Sequence, residues 1–218
     1  MRPGWPRSGR WAWGTPVTCA EQQSGVESPT MIHPDDKSNG IALGWQRLAT
    51  DYPYTHAMFR VRRDQARWPD GHVAPYVYIQ TCGALWIVPV TAEGQIVLIR
   101  QFRYALDDWA WEVPAGGFHD FSGSPLELAR RELAEEVGGV SDDMLYVGSF
   151  RPGVGVIDEI GHIVLARQVR LELEPAREPG EIIEVHPTSP ERALEMARNG
   201  EMVDGHSALA LLRCEQYL

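Results

Sequence analysis

One helix in this chain has both of its ends written into the sequence, and it constrains everything around it. In "SPLELARRELAEEVGG", residues 124–139, Ser124 is a natural N-cap and Pro125 suits the first helical position. Glu127, three residues after the cap, completes a capping box. Gly138 and Gly139 supply the stop, because glycine accepts the left-handed conformation in which helices commonly end. The spacing predicts a helix over about 125–137. At about 100° per residue, Leu126, Ala129, Leu133 and Val137 form an apolar stripe. A helix with one such stripe buries it against a sheet or another helix.

The same helix is crowded with acid. Glu132 and Glu136 lie one turn apart, and Glu135 adjoins both, so three carboxylates converge on the flank beside the stripe. Like charges at this spacing cost only about 0.2–0.5 kcal/mol on an exposed helix. A solvated face, with Arg131 pairing to Glu135, is therefore one reading. The other is a divalent-metal site. Carboxylate oxygens suit Mg²⁺ or Mn²⁺, and such an ion removes the repulsion and holds a phosphate. Spacing alone leaves both open.

Short apolar runs flank the helix on both sides. "HAMFRVRR" (56–63) alternates at period two, as a half-buried strand does. "WPDGH" follows as a turn. "YVYIQ" (76–80), "ALWIVPV" (84–90), "QIVLIRQF" (95–102) and "WAWEV" (109–113) read as strands, with "TAEG" as a hairpin turn. Beyond the helix, strands are expected near 144–150, 161–171 and 181–186, then helices near 189–198 and 206–216. Strands on both sides of a central helix, with closing helices, suggest an α/β sandwich around a mixed sheet. Residues 1–40 mix Gly, Pro, Ser and isolated Trp (Trp5, Trp11, Trp13) without period and read as a disordered extension. Residues 41–218 then form one domain.

Composition narrows the function. Thirty acids against 20 bases give a formal charge of -10, which disfavours binding to nucleic acid. Cys19, Cys82 and Cys214 show no CxxC spacing, which fits reduced thiols in a cytoplasmic protein. No apolar run approaches a membrane span, and the N-terminus lacks the apolar core of a secretion signal. Neither HExxH nor GxSxG occurs. His119, His162 and His186 read as ordinary loop or strand residues.

The longer segment "GGFHDFSGSPLELARRELAEEVGG" resembles the Nudix box, G-x5-E-x7-R-E-U-x-E-E-x-G-U with U apolar. Arg131, Glu132, Leu133, Glu135, Glu136 and Gly138 match it in spacing. Gly123 stands where the first glutamate belongs, the loop after Gly116 is one residue longer, and Gly139 replaces the last apolar residue. "VLIRQFRY", "WEVPAGG", "RPGVGVIDEIGHIVLA" and "NGEMVDGHSALALL" are similar to the ADP-ribose pyrophosphatase branch of the Nudix hydrolases.

The resemblance covers about residues 45–217. It implies a Nudix-type α/β/α sandwich that hydrolyses a nucleoside diphosphate sugar with Mg²⁺, Mn²⁺ being the alternative. For ADP-ribose the products are AMP and ribose 5-phosphate. It also implies a homodimer. Glu132 and Glu136 would be the chief metal ligands, Glu135 a third ligand or a bridge to Arg131, and the Ala115 carbonyl a further contact. Arg131 would orient the carboxylates. Arg103 would hold the diphosphate and Glu112 would contact the nucleotide side or the dimer partner, with Gly116 and Glu159 also at the substrate. As an alternative, Arg103 and Glu112 form a plain cross-strand ion pair. The general base would be Glu181, then Glu178, with Glu159 as rival. A non-catalytic module that senses ADP-ribose is the competing function, motivated by Gly123 and the altered loop.

Overall fold

The structure is a computed structural model and describes residues 37–119 and 121–218. Residues 1–36 of the expected extension, with Trp5, Trp11, Trp13 and Cys19, lie outside the described residues.

A short helix α1 (Ser38–Ala42) leads into three strands, β1 (Gln46–Thr55), β2 (Phe59–Arg67) and β3 (Val73–Thr81). They form a three-stranded antiparallel sheet of their own. Asp70 makes the expected turn between β2 and β3 by accepting the His72 amide at 2.9 Å. Sequence patterning did not separate this sheet from the rest, nor find β1. The reason is visible in "QRLATDYPYT", where every residue is exposed and no apolar alternation marks a buried face.

The main sheet begins at β4 (Ala84–Thr91) and β5 (Ile96–Arg103), then β6 (Asp108–Glu112) and β7 (Ala115–Gly117). After helix α2 (Pro125–Val137) come β8 (Gly139–Val140), β9 (Asp143–Phe150), β10 (Gly161–Leu171) and β11 (Ile183–Thr188). Helices α3 (Pro190–Asn199) and α4 (Gly205–Cys214) close the chain. The spatial order is β11-β5-β4-β10-β8, with β6, β7 and β9 paired to β5, β4 and β10. Among the described residues, β4 and β10 are the one parallel strand pair of this sheet, so the sheet is mixed.

Alternation along the central strands builds two cores. Leu85, Ile87, Val97, Ile99, Val164 and Ala166 face α2. Trp86, Val88, Ile96, Leu98, Ile163 and Leu165 face α3 and α4. Strands buried on both faces are why "ALWIVPV" reads as an unbroken apolar run. Each fully buried Leu, Ile or Val contributes about 1.5–3 kcal/mol relative to exposure. The result is an α/β/α sandwich, as expected.

One detail of register prepares the functional region. β4 and β5 share a single registered pair, Val90↔Ile96, and then diverge. β5 goes on with β6, while β4 takes β7. The chain crosses that gap between Glu112 and Ala115, so these residues sit where the sheet splays open.

Candidate active site

Helix α2 forms as its sequence dictates. The Ser124 side chain accepts the Glu127 amide, the Glu127 carboxylate accepts the Ser124 amide at 2.7 Å, and Pro125 opens the first turn. Gly138 ends the helix at φ 68°. It is needed twice over there, since a Cβ would lie 2.0 Å from the Leu173 carbonyl oxygen. The buried band is broader than the expected stripe. Leu128, with no exposed surface, takes the central place given to Leu126, which is only partly buried.

Glu132 and Glu136 belong to that buried band, at 9% and 5% exposure. This overturns the solvated-face reading. Glu136 Oε2 accepts the Ala115 amide at 3.1 Å, which docks the helix onto β7. Glu132 lies against Gly116 so closely that a Cβ on the glycine would meet its Cδ at 2.2 Å. The Arg131 guanidinium donates to Glu132 Oε1 at 2.8 Å and stands 3.8 Å from Glu135. Arg131 therefore holds Glu132 more tightly than the Glu135 partner expected from i,i+4 spacing.

Electrostatics centre on Glu136. Burial raises its pKa well above the usual carboxylate range; the Ala115 N–H opposes this, and the charges of Glu132 and Glu181 add to it. Arg103 opposes the rise more weakly. Arg103 itself forms a two-pronged ion pair with the buried Glu112, one bond being Nε to Oε1 at 2.7 Å. The ion pair weighed from sequence is thus present. It holds the Arg103 guanidinium beside the site, its pKa raised first by Glu112 and less by Glu136 and Asp204.

The rival bases separate. Glu181 acts on Glu136, and its Oε2 accepts the Glu178 amide at 2.8 Å. Glu159 neighbours His206 instead, and burial raises its pKa. His206 stacks on Trp86 with centroids 4.6 Å apart and is bonded to Asp204 at 3.0 Å, where Asp204 caps α4.

Sequence reasoning missed Arg177. Its Nε donates to the Glu136 carbonyl at 3.0 Å and its Nη1 to the Ile183 carbonyl at 2.7 Å. With Ala176 donating to the Glu135 carbonyl at 2.9 Å, this pins the loop bearing Glu181 to the end of α2. An arginine in a polar loop carries no local signal of such a contact.

Among the described residues, the acids do not form a preformed cage of three ligands. Glu132 is turned to Arg131 and Glu136 to the Ala115 amide. The donor set nonetheless fits a divalent cation. A nearly buried carboxylate with two like-charged neighbours and one N–H partner is under-compensated, and carboxylate oxygens are the ligands hard cations take.

The model of the NUDIX domain matches residues 81–206. An ADP-ribose pyrophosphatase of Bacillus subtilis (strain 168) is 33% identical over 179 residues, which is 81% of this chain and 94% of that protein. An ADP-ribose pyrophosphatase of Mycobacterium tuberculosis (strain ATCC 25618 / H37Rv) is 32% identical over 127 residues, 58% of this chain and 61% of that one. In fold, the chain matches a crystal structure of an ADP compounds hydrolase at TM-score 0.67 and 19% identity, covering 80% of this chain and 94% of that one. With the box residues gathered on one helix and the family model matched across the main sheet, the chain belongs to the NUDIX family of hydrolases.

Proposed function

We propose that this hydrolase cleaves the diphosphate of ADP-ribose, or of a closely related nucleoside diphosphate sugar, giving AMP and ribose 5-phosphate from the former. The observation that carries the proposal is Glu136. It is a buried carboxylate beside Glu132 and Glu181, seated at the splay of the sheet with Arg103 alongside. The names of the two pyrophosphatase relatives support the substrate.

Glu132, Glu136, Glu135 and the Ala115 carbonyl would hold Mg²⁺, or Mn²⁺ in its place. A divalent ion so held neutralises charge developing on the phosphates and activates water for attack. Arg131 fixes the Glu132 carboxylate. Gly116 leaves room for Glu132 to lie against the backbone. Arg103, kept cationic by Glu112, receives the negative diphosphate. Glu181 takes the proton of the attacking water, because its charge reaches the acidic centre while Glu159 faces His206. Glu159 is left to contact substrate.

Assembly as a homodimer goes with this proposal. β1 is exposed along its whole length, and Leu48, Tyr52, Tyr54 and Val77 present apolar surface on the same small sheet. A cytoplasmic location accords with the buried free thiols of Cys82 and Cys214. Among the described residues no helix is long and apolar enough to cross a membrane.

Purified protein with Mg²⁺ or Mn²⁺ is to be offered ADP-ribose, GDP-mannose and UDP-glucose, with nucleoside monophosphate release followed. Release of AMP from ADP-ribose is expected. Tight binding without products from any of the three would refute hydrolysis and favour a sensor.

A further inference from the structure

The family's box calls for a glutamate where this chain has Gly123, and the space such a side chain would enter is already filled. A Cβ on Gly123 would lie 2.5 Å from Cε1 and Cζ of the Phe121 ring. The ring packs partly buried against the core under α2, with Phe118 at 6.4 Å between centroids. Its face carries the Arg131 guanidinium, whose Cζ stands 5.0 Å from the ring centroid. Arg131 in turn donates to Glu132 at 2.8 Å.

We propose that Phe121 is a positioning residue for the metal-binding carboxylates. Its π face holds the Arg131 guanidinium in the place from which that group orients Glu132, and Gly123 is glycine so that the ring can occupy this position. The proposal rests on the assignment of Glu132 to a divalent ion. A planar guanidinium over a ring face is held by the ring's quadrupole and by stacking, and neither an aliphatic side chain nor an uncharged partner supplies both. Residues 121 and 123 thus act as a pair: bulk at 121 requires its absence at 123.

Phe121→Leu keeps apolar volume but removes the face, and Phe121→Tyr keeps the face. Mn²⁺ binding to each purified protein is read by paramagnetic resonance of the free ion, with thermal unfolding measured in chelator alongside. Phe121→Leu is expected to bind Mn²⁺ about fivefold more weakly, the scale of one partly buried cation–π contact, while Phe121→Tyr stays within twofold of the parent. Gly123→Ala is expected to follow Phe121→Leu, because its methyl displaces the ring. Equal affinity in Phe121→Leu and the parent overturns the proposal. So does equal weakening in Phe121→Leu and Phe121→Tyr, since that is loss of packing. A parent chain that binds no Mn²⁺ overturns the metal assignment itself, which marks that failure apart from the other two.

Discussion

Replacing Gly116 by alanine puts a methyl carbon where the Glu132 carboxylate now lies. The new Cβ would stand 2.2 Å from Glu132 Cδ, 2.3 Å from Cγ and 2.4 Å from Oε1, and ordinary contact starts at 3.4 Å. Relief therefore requires the carboxylate to retreat by about 1.2 Å, the difference between 3.4 and 2.2 Å. The Gly116 backbone is not in the left-handed region, so the substitution carries no φ penalty. The methyl meets the end of a side chain rather than backbone, so the fold yields by moving Glu132 off Gly116. A displacement of about 1 Å at a catalytic constellation costs on the order of 100-fold in rate. Gly116→Ala is expected to lower kcat/KM for ADP-ribose hydrolysis with Mg²⁺ by about that factor, with the unfolding midpoint in chelator within about 4 °C of the parent, equivalent to about 1 kcal/mol for a chain this size. Steady-state kinetics and thermal unfolding on the same preparation give both numbers. Parental kcat/KM in a folded Gly116→Ala protein would refute the claim that Glu132 must lie against this glycine.

Other perturbations separate the remaining roles. Glu136→Gln removes a buried charge and, on the proposed assignment, a metal ligand together. It is expected to unfold at a higher temperature than the parent in chelator, yet to lose the stabilisation that Mn²⁺ at about 100 times its Kd gives the parent, about 2.7 kcal/mol. A parental metal-induced shift in this variant would remove Glu136 from the ligand set. Arg177→Met cuts the hydrogen bonds to the Glu136 and Ile183 carbonyls. Its kcat should fall about tenfold or more with KM changed less than twofold, because the loop bearing Glu181 loosens while Arg103 is untouched; a purely KM effect would count against it. For Asp204, burial opposes ionisation, but bonds from His206 and Ser207 outweigh it and bring the pKa from 3.8 to about 2. A group depressed in the folded state contributes stability above its unfolded pKa and loses it as pH falls through the folded one. That contribution is about 2 kcal/mol. The side-chain amide introduced by Asp204→Asn would still cap α4, so the parent should exceed this variant in stability at pH 7, with the gap closing between about pH 4 and 2. A gap that persists at pH 2 would assign the effect to capping alone.

How much of this was legible depended on how local each determinant is. The α2 boundaries are set by Ser124, Glu127 and Gly138, all within one turn of the ends they define, so the sequence specifies them completely. The central strands were equally plain, because burial on both faces demands unbroken apolar runs. β1 escaped because an exposed strand bears no periodic mark, and β7 because "PAGG" is too short and glycine-rich to show one. At the site, the box glutamates declared themselves by spacing. Their burial did not, since an acidic side chain in sequence looks the same on a wet face as under a sheet. Arg177 and Phe121 act across 41 and 10 residues of chain, and only folding brings them to α2.

Glu136 is where these contacts acquire a common purpose. A buried carboxylate is costly unless paired, and two more acids nearby raise the cost. The described residues answer with one N–H and the more distant Arg103, itself committed to Glu112. Such a deficit would be removed by substituting a neutral side chain if stability were the only demand. It is instead reinforced by Arg177, which pins a further acidic loop beside it, and by Gly116, which lets Glu132 press in. Packing that concentrates negative charge in this way makes sense when a divalent cation joins the working state, because one ion offsets several carboxylates at once and still presents open positions to a phosphate.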